Sequence, residues 1–219
     1  MSDNNLYVAC IDLHDRDCLV VGAGNVGLEK TQGLLKAGAF VTVVAPEVDS
    51  RLRDLAIGGR VQLIERAFFP DDVAGRVLVI AATSDNAVNR RVYGAARERG
   101  VLVNVADVPD LCDFILPAIH RNGPLAVAVS TNGASPALAQ RMREEAASYF
   151  DDAYAELAEI LEGLRPWAKA TLPTYGARKA FFDGIVHGQP DPIELLRAGN
   201  RAGVRDLIER AQRSTRLPA

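Results

Sequence analysis

The chain has little of what marks a metalloprotein, a secreted protein or a membrane protein. It carries 3 cysteines in 219 residues, Cys10, Cys18 and Cys112, and none forms a C-x-x-C pair. Such spacing is neither a disulfide framework nor a zinc ribbon, and it suits a reducing cytoplasm. The 3 histidines, His14, His120 and His187, are scattered, with no H-x-x-x-H or H-E-x-x-H, so no structural metal is expected. No run approaches the ~20 apolar residues of a membrane helix. No basic N-terminal region followed by an apolar stretch marks an export signal, so a cytoplasmic location is expected. A net charge of −3 gives no global attraction to nucleic acid or an acidic membrane, and neither is an expected partner. Without a G-x-S-x-G elbow or a Cys–His signature, a hydrolase has little support.

What is present is ordinary globular composition, 48% hydrophobic and 24% charged, with a clear alternation of elements. The patterns predict strands over 16–21, 39–45, 61–65, 76–82 and 101–105. Helices are predicted over 26–37, 46–57 and 86–99, closed by Gly38, Gly58-Gly59 and Gly100. This order predicts an α/β fold, a Rossmann-like doubly wound parallel sheet. The pattern then changes to two strands, 114–119 and 125–130, around Asn122-Gly123, a hairpin signal whose turn type Pro124 leaves open. From Ser135 onward the chain reads as helical, with Pro166, Pro173, Gly176, Pro190 and Pro192 dividing the tail into short helices. The expected organisation is a nucleotide-type domain over 1–112, a small α+β segment over 113–148 and a helical domain over 149–219. Charge is uneven, since 141–162 holds two Arg against seven acids and 197–219 six Arg against two acids. Solvated helix faces are the simplest reading of that asymmetry.

The most informative short pattern is Gly22-Ala23-Gly24-Asn25-Val26-Gly27, a G-x-G-x-x-G between strand and helix. Gly22 permits the sharp turn, Gly24 lets backbone approach a pyrophosphate, and Gly27 lets helix pack on sheet. Ligand charge would then sit at a helix N-terminus, against Asn25 and Val26. In the next loop Ala45, Pro46 and Glu47 stand where an acid for the ribose 2′-hydroxyl is usual. Glu47 is poorly placed for that role, and no Arg stands there for a 2′-phosphate, which favours NAD over NADP. Thr83 and Ser84 can line the ribose or nicotinamide side, while Ser84 or Asp85 can equally be a helix cap. Asn104 and Asp107 follow the fifth strand. A carboxylate there can take the proton that accompanies hydride loss, or it can be a turn-forming Asp ahead of Pro109. In Ser130-Thr131-Asn132-Gly133-Ala134-Ser135-Pro136, Ser135 and Pro136 predict a cap and a first helical position. Ser130, Asn132, Gly133 and Ser135, with Arg141 and Arg143, can also form an anion pocket for substrate carboxylates.

The stretches VVGAGNVGLEK, VTVVAPE, VIAATSDNAVN, VNVADVPDLCDFILPA and AVSTNGASPALA resemble, in order and spacing, successive blocks of the precorrin-2 dehydrogenase family. That family includes the dehydrogenase/ferrochelatase part of siroheme synthases, and the resemblance covers roughly the first 145 residues. It implies NAD-dependent oxidation of precorrin-2 to sirohydrochlorin and a homodimer built through the middle segment. It implies that Asp107 is the catalytic aspartate, that Ser135 lies near the tetrapyrrole, and that the 83–89 loop is on the cofactor side. Some members also insert ferrous iron, for which Asp107, with His120 or His14, can serve. The family usually has Gly where Ala23 stands and Arg where Glu29 stands. Two other readings remain at this point: a non-catalytic nucleotide sensor, and a dehydrogenase of another polyanion.

Overall fold

The computed structural model describes residues 6–216. The chain divides into two compact units, Met1–Leu116 and Pro117–Ala219. In the first, strands β1 (Asp17–Ala23), β2 (Phe40–Val48), β3 (Gln62–Ile64), β4 (Leu78–Ala81) and β5 (Leu102–Val105) form one sheet in the order β3-β2-β1-β4-β5, all parallel. Helices α1 (Asn25–Lys36), α2 (Ser50–Ile57) and α3 (Asn86–Arg99) connect them. Because side chains alternate along a strand, the sheet feeds two cores. Cys18, Val20, Val41, Val43 and Ile80 point to one, with Leu28 and Leu34 of α1 and Leu52 of α2. Leu19, Val21, Val44, Val79, Val103 and Val105 point to the other, with Val92, Ala95 and Ala96 of α3. Strands buried on both faces explain the continuous apolar runs in the sequence. Each fully buried Val, Leu or Ile contributes about 1.5–3 kcal/mol of transfer free energy.

Two boundaries differ from the sequence expectation in a way that matters for the site. β1 continues through Ala23, and β2 continues through Val48 instead of yielding to a helix at Pro46. The ladder jumps from Val21↔Val44 to Ala23↔Val48, so four steps of β2 span two of β1. Ala45, Pro46 and Glu47 therefore lie in a bulge opposite Gly22, a place where a proline without an N–H is tolerated. α2 starts later, at Ser50, because Asp49 caps it by accepting a hydrogen bond from the Arg51 N–H.

The second unit opens with an antiparallel hairpin, β6 (Ala118–Asn122) and β7 (Leu125–Val129). Gly123 has φ +53°, and proline holds φ negative, so the two-residue turn is II′-like and not I′. β6 begins later than expected because Asp113 and Phe114 are tied to β5. The Asp113 N–H donates to the Val103 carbonyl, and the Asn104 Nδ2 donates to the Phe114 carbonyl.

Helices α4 (Pro136–Tyr149), α5 (Asp152–Thr171), α6 (Tyr175–Val186), α7 (Pro192–Arg197) and α8 (Arg201–Arg216) complete this unit. Pro166 does not end a helix but lies inside the 20-residue α5. Buried Leu157 and Ala168 lie on either side of it, in two apolar clusters shared with residues of α6, α7 and α8, and that packing outweighs the lost backbone bond. The charge asymmetry resolves within this unit. Arg197 pairs with Asp151 at 2.8 Å, and Arg201 pairs with Glu156 at 2.6 Å, which joins the basic tail to the acidic start of α5. Among the described residues no helix is long and apolar enough to cross a membrane.

Candidate functional site

In a parallel sheet of this order, ligands bind beyond the carboxyl ends of the strands, where the direction of connection reverses between β1 and β4. The glycine loop leaves β1 at that point. A Cβ on Gly22 would lie 2.4 Å from the Ala82 carbonyl oxygen, and one on Gly27 would lie 2.1 Å from the Gly22 carbonyl oxygen. Both glycines are thus required by contact with backbone. Gly24 is different, for nothing stands within 4 Å of its would-be Cβ. It is the N-cap of α1 and offers no side-chain cap, and no acid occupies the first turn. The N-terminal N–H groups of α1 are left for an external acceptor, whereas helices α2 to α7 each receive a side-chain cap. Exposed Asn25 and Val26 flank this opening. The cradle fits a dinucleotide pyrophosphate. Ala23 is buried as the last residue of β1, and Glu29 is exposed, paired with Lys30 at 2.7 Å.

The strand-two side holds two residues that the sequence reading passed over. Asp49 follows β2 directly, and its N–H donates to the Ala23 carbonyl at 3.0 Å, beside the glycine loop. The Arg51 Nε and Nη2 donate to Asp49 Oδ1 and Oδ2 at 2.9 and 2.6 Å, and Nη2 also bonds the Asn25 Oδ1. These hydrogen bonds from Arg51 hold the Asp49 carboxyl down at about 2. Ala45 is buried in the bulge, while Pro46 and Glu47 are exposed. The available signal was the continuation of the valine pattern to Val48, followed by Asp-Ser as a helix start.

At the β4 end, Thr83 is half-buried, and its hydroxyl lies 2.8 Å from the Asn89 Oδ1, while the Asn89 amide donates to the Thr83 carbonyl. Asp85 caps α3, accepting from the N–H groups of Ala87 and Val88, and Ser84 is exposed. Thr83 and Asp85 are therefore held in place by the start of α3. Asn104 is buried, its amide donating to the Phe114 carbonyl at 2.9 Å and to Cys112 Sγ. It fastens the segment after β5.

Asp107 stands at the end of β5 in a turn closed by Val108 N–H to Val105 C=O, with the Ala106 N–H latched to the Ala81 carbonyl of β4. Its φ is +62°, the left-handed position of a type II turn, which Asp and Asn tolerate better than most residues. The side chain is exposed and has no hydrogen-bond or ion-pair partner among the described residues. Asp113 is different, for it bonds the Val103 N–H and Arg97. Burial pushes the Cys112 thiol up. A cavity of ≈ 90 Å³ adjoins this turn, lined by Asn86, Asn89, Arg90, Val108 and Leu111. His14 precedes β1 and so lies at the opposite, amino edge of the sheet, which removes it as a helper to Asp107.

In the second unit, Ser135 caps α4 by accepting from the Leu138 N–H, with Pro136 at the first helical position. Thr131 Oγ1 accepts from the Ser135 N–H and donates to the Ser135 carbonyl, and Ser130 Oγ accepts from the Asn132 N–H. Asn132 and Gly133 form the exposed left-handed crest of this loop. Arg141 is exposed and paired with Glu145 at 2.8 Å. The His120 ring bonds the Phe150 carbonyl.

Comparison with known proteins agrees with this layout. A family model described as "Putative NAD(P)-binding" matches residues 9–118. "Sirohaem biosynthesis protein central" matches 122–147, and "Sirohaem synthase dimerisation region" matches 153–211, placing that last description on the α5–α8 helices and not on the middle segment. The siroheme synthase of Thioalkalivibrio sulfidiphilus is 42% identical over 91% of this chain and 40% of its own length. That of Methylococcus capsulatus is 40% identical over 94% of this chain and 43% of its own. The chain thus spans about two fifths of the curated relatives it matches. A solved structure named "SirC, precorrin-2 dehydrogenase" superposes with a TM-score of 0.78 at 25% identity, covering 95% of this chain and all of that one. With its dinucleotide-type sheet, the β7–α4 segment and the helical region matched in succession, the chain belongs to the family formed by the N-terminal region of siroheme synthases and the precorrin-2 dehydrogenases.

Proposed function

We propose that this protein oxidises precorrin-2 to sirohydrochlorin with NAD. The observation that carries the reading is Asp107, a carboxylate without a partner among the described residues, presented just past the carboxyl end of β5 on the sheet edge where the glycine loop opens. When bound, NAD supplies the hydride acceptor. The chain supplies the rest. The free N–H groups of α1 hold the pyrophosphate, Thr83 and Ser84 border the cofactor, and Asp107 accepts the proton released as the tetrapyrrole loses a hydride. Precorrin-2 is a polycarboxylate, and the Ser130–Ser135 loop with Arg141 is proposed to orient its acid groups. The same carboxylate supports a second activity, insertion of ferrous iron into sirohydrochlorin, in which Asp107 takes pyrrole protons and the iron is substrate. A homodimer formed through the helical region is proposed from the matched dimerisation description.

Anaerobic incubation with precorrin-2 and NAD, followed by visible absorption and then by addition of ferrous ion, tests the reading. The expected result is conversion to the sirohydrochlorin spectrum only when NAD is present. Dinucleotide binding without any change in precorrin-2 would leave a nucleotide sensor instead.

A further inference from the structure

We propose that Asp49 and Arg51 together read the 2′ position of the dinucleotide's adenosine ribose, and that their pairing admits the 2′-phosphate of NADP as well as the hydroxyl of NAD. This rests on the dinucleotide reading of the glycine loop.

The position is set by the backbone. In sheets of this type the acid that reads the ribose stands near the carboxyl end of the second strand, about 20 residues past the glycine motif. Here that residue is Asp49, latched to the glycine loop through its N–H and the Ala23 carbonyl. A free carboxylate at this place accepts a bond from a 2′-hydroxyl and repels a 2′-phosphate by like charge. Asp49 is not free. Its Oδ1 accepts from both the backbone N–H and Nε of Arg51, and its Oδ2 accepts from Arg51 Nη2. The pair carries no net charge, so the repulsion that would exclude a phosphate is removed.

Arg51 itself is built as an anion receiver. Its Nη2 bonds both Asp49 and Asn25, which fixes the plane of the guanidinium against the glycine loop. Its Nη1 donors have no partner among the described residues, and the side chain is 56% exposed. A fixed planar fork with free donors suits a phosphate, and fixing it beforehand reduces the entropy lost on binding. Asp49 Oδ2, with Arg51 Nη2 as its donor among the described residues, can still accept a hydroxyl. One cluster thus serves both forms of the cofactor.

Calorimetric titration of the full chain with NAD and with NADP tests this. The two dissociation constants are expected to lie within about tenfold of each other, a gap of about 1.4 kcal/mol or less. Arg51→Ala frees the Asp49 carboxylate and is expected to weaken NADP by about tenfold or more, with NAD changed by less than about threefold. Asp49→Ser retains a helix cap and is expected to shift the preference toward NADP by about threefold or more. NAD binding with NADP excluded by more than about tenfold, or equal weakening of both by Arg51→Ala, would overturn the inference and leave the dinucleotide reading standing. Failure of wild-type protein to bind either dinucleotide would overturn both.

Discussion

The Gly22 carbonyl oxygen would lie 2.1 Å from a Cβ on Gly27, so strand β1 and helix α1 meet with no room for a methyl group between them. Gly24, between these two, faces open space. The three glycines of the loop therefore differ, two fixed by packing and one left open on the side proposed for the dinucleotide.

Gly27→Ala is expected to destabilise the protein by about 2–4 kcal/mol, because the obstructing atom is backbone and cannot turn away. Gly24→Ala, at φ −86°, is expected to cost about 1 kcal/mol or less while lowering dinucleotide affinity by about tenfold or more. Thermal unfolding and titration calorimetry on the two variants check this. Equal loss of stability in both would contradict the division of roles.

Asp107→Asn retains a residue that tolerates the left-handed turn, so folding and dinucleotide affinity are expected to be unchanged. Turnover of precorrin-2 is expected to fall by about 10²–10⁴-fold, the usual contribution of a positioned general base. Undiminished turnover would remove Asp107 from the proton step. Asp107→Ala is expected to lose stability as well, by about 1 kcal/mol, since alanine is strained at φ +62°.

The Asp49 carboxyl is held at about 2 by hydrogen bonds from Arg51, against an ordinary value of 3.8. A depressed folded-state value means that the stabilisation is present above pH 3.8 and is lost as pH falls from there to about 2. The stability difference between wild type and Asp49→Asn is thus expected to be constant from neutrality down to about pH 5 and to shrink below it. Unfolding curves measured across this range would show it. A difference that vanishes already near neutrality would mean that the pair does not form.

Pro166 is exposed and interrupts the hydrogen-bond ladder of α5 without interrupting the helix. Pro166→Ala is expected to raise stability by about 1–2 kcal/mol, the regained helix propensity exceeding the added freedom of the unfolded chain. A lowered melting temperature would show instead that the ring makes a contact that the helix needs.

Much of the first unit was legible along the chain because its signals are local. The span of α3 could be read to the residue, since Asp85 at one end and Gly100 at the other are strong caps. The glycine loop and the Ser135-Pro136 helix start were legible for the same reason. The errors fell where a neighbour overrode a local rule. Pro46 suggested a helix start, but pairing of Val48 with Ala23 draws β2 two residues past it. Pro166 suggested a break, but apolar clusters on either side hold α5 together. The Phe114 end of the sixth strand was lost because Asn104 and Val103 bind it back to β5.

By itself the sequence determined the alternation of apolar runs and helical faces, the close-packed glycines, the helix caps and the presence of an acid at Asp107, all set by steric and hydrogen-bonding preferences within a few residues. Only the tertiary structure decided that β2 bulges opposite Gly22, and hence that Asp49 and Arg51 stand beside the glycine loop. Arg51 lies 26 residues from Asn25 along the chain, and no local preference links them. Parallel pairing of β1 with β2 brings them together, because a crossover returns each strand end to the same edge of the sheet.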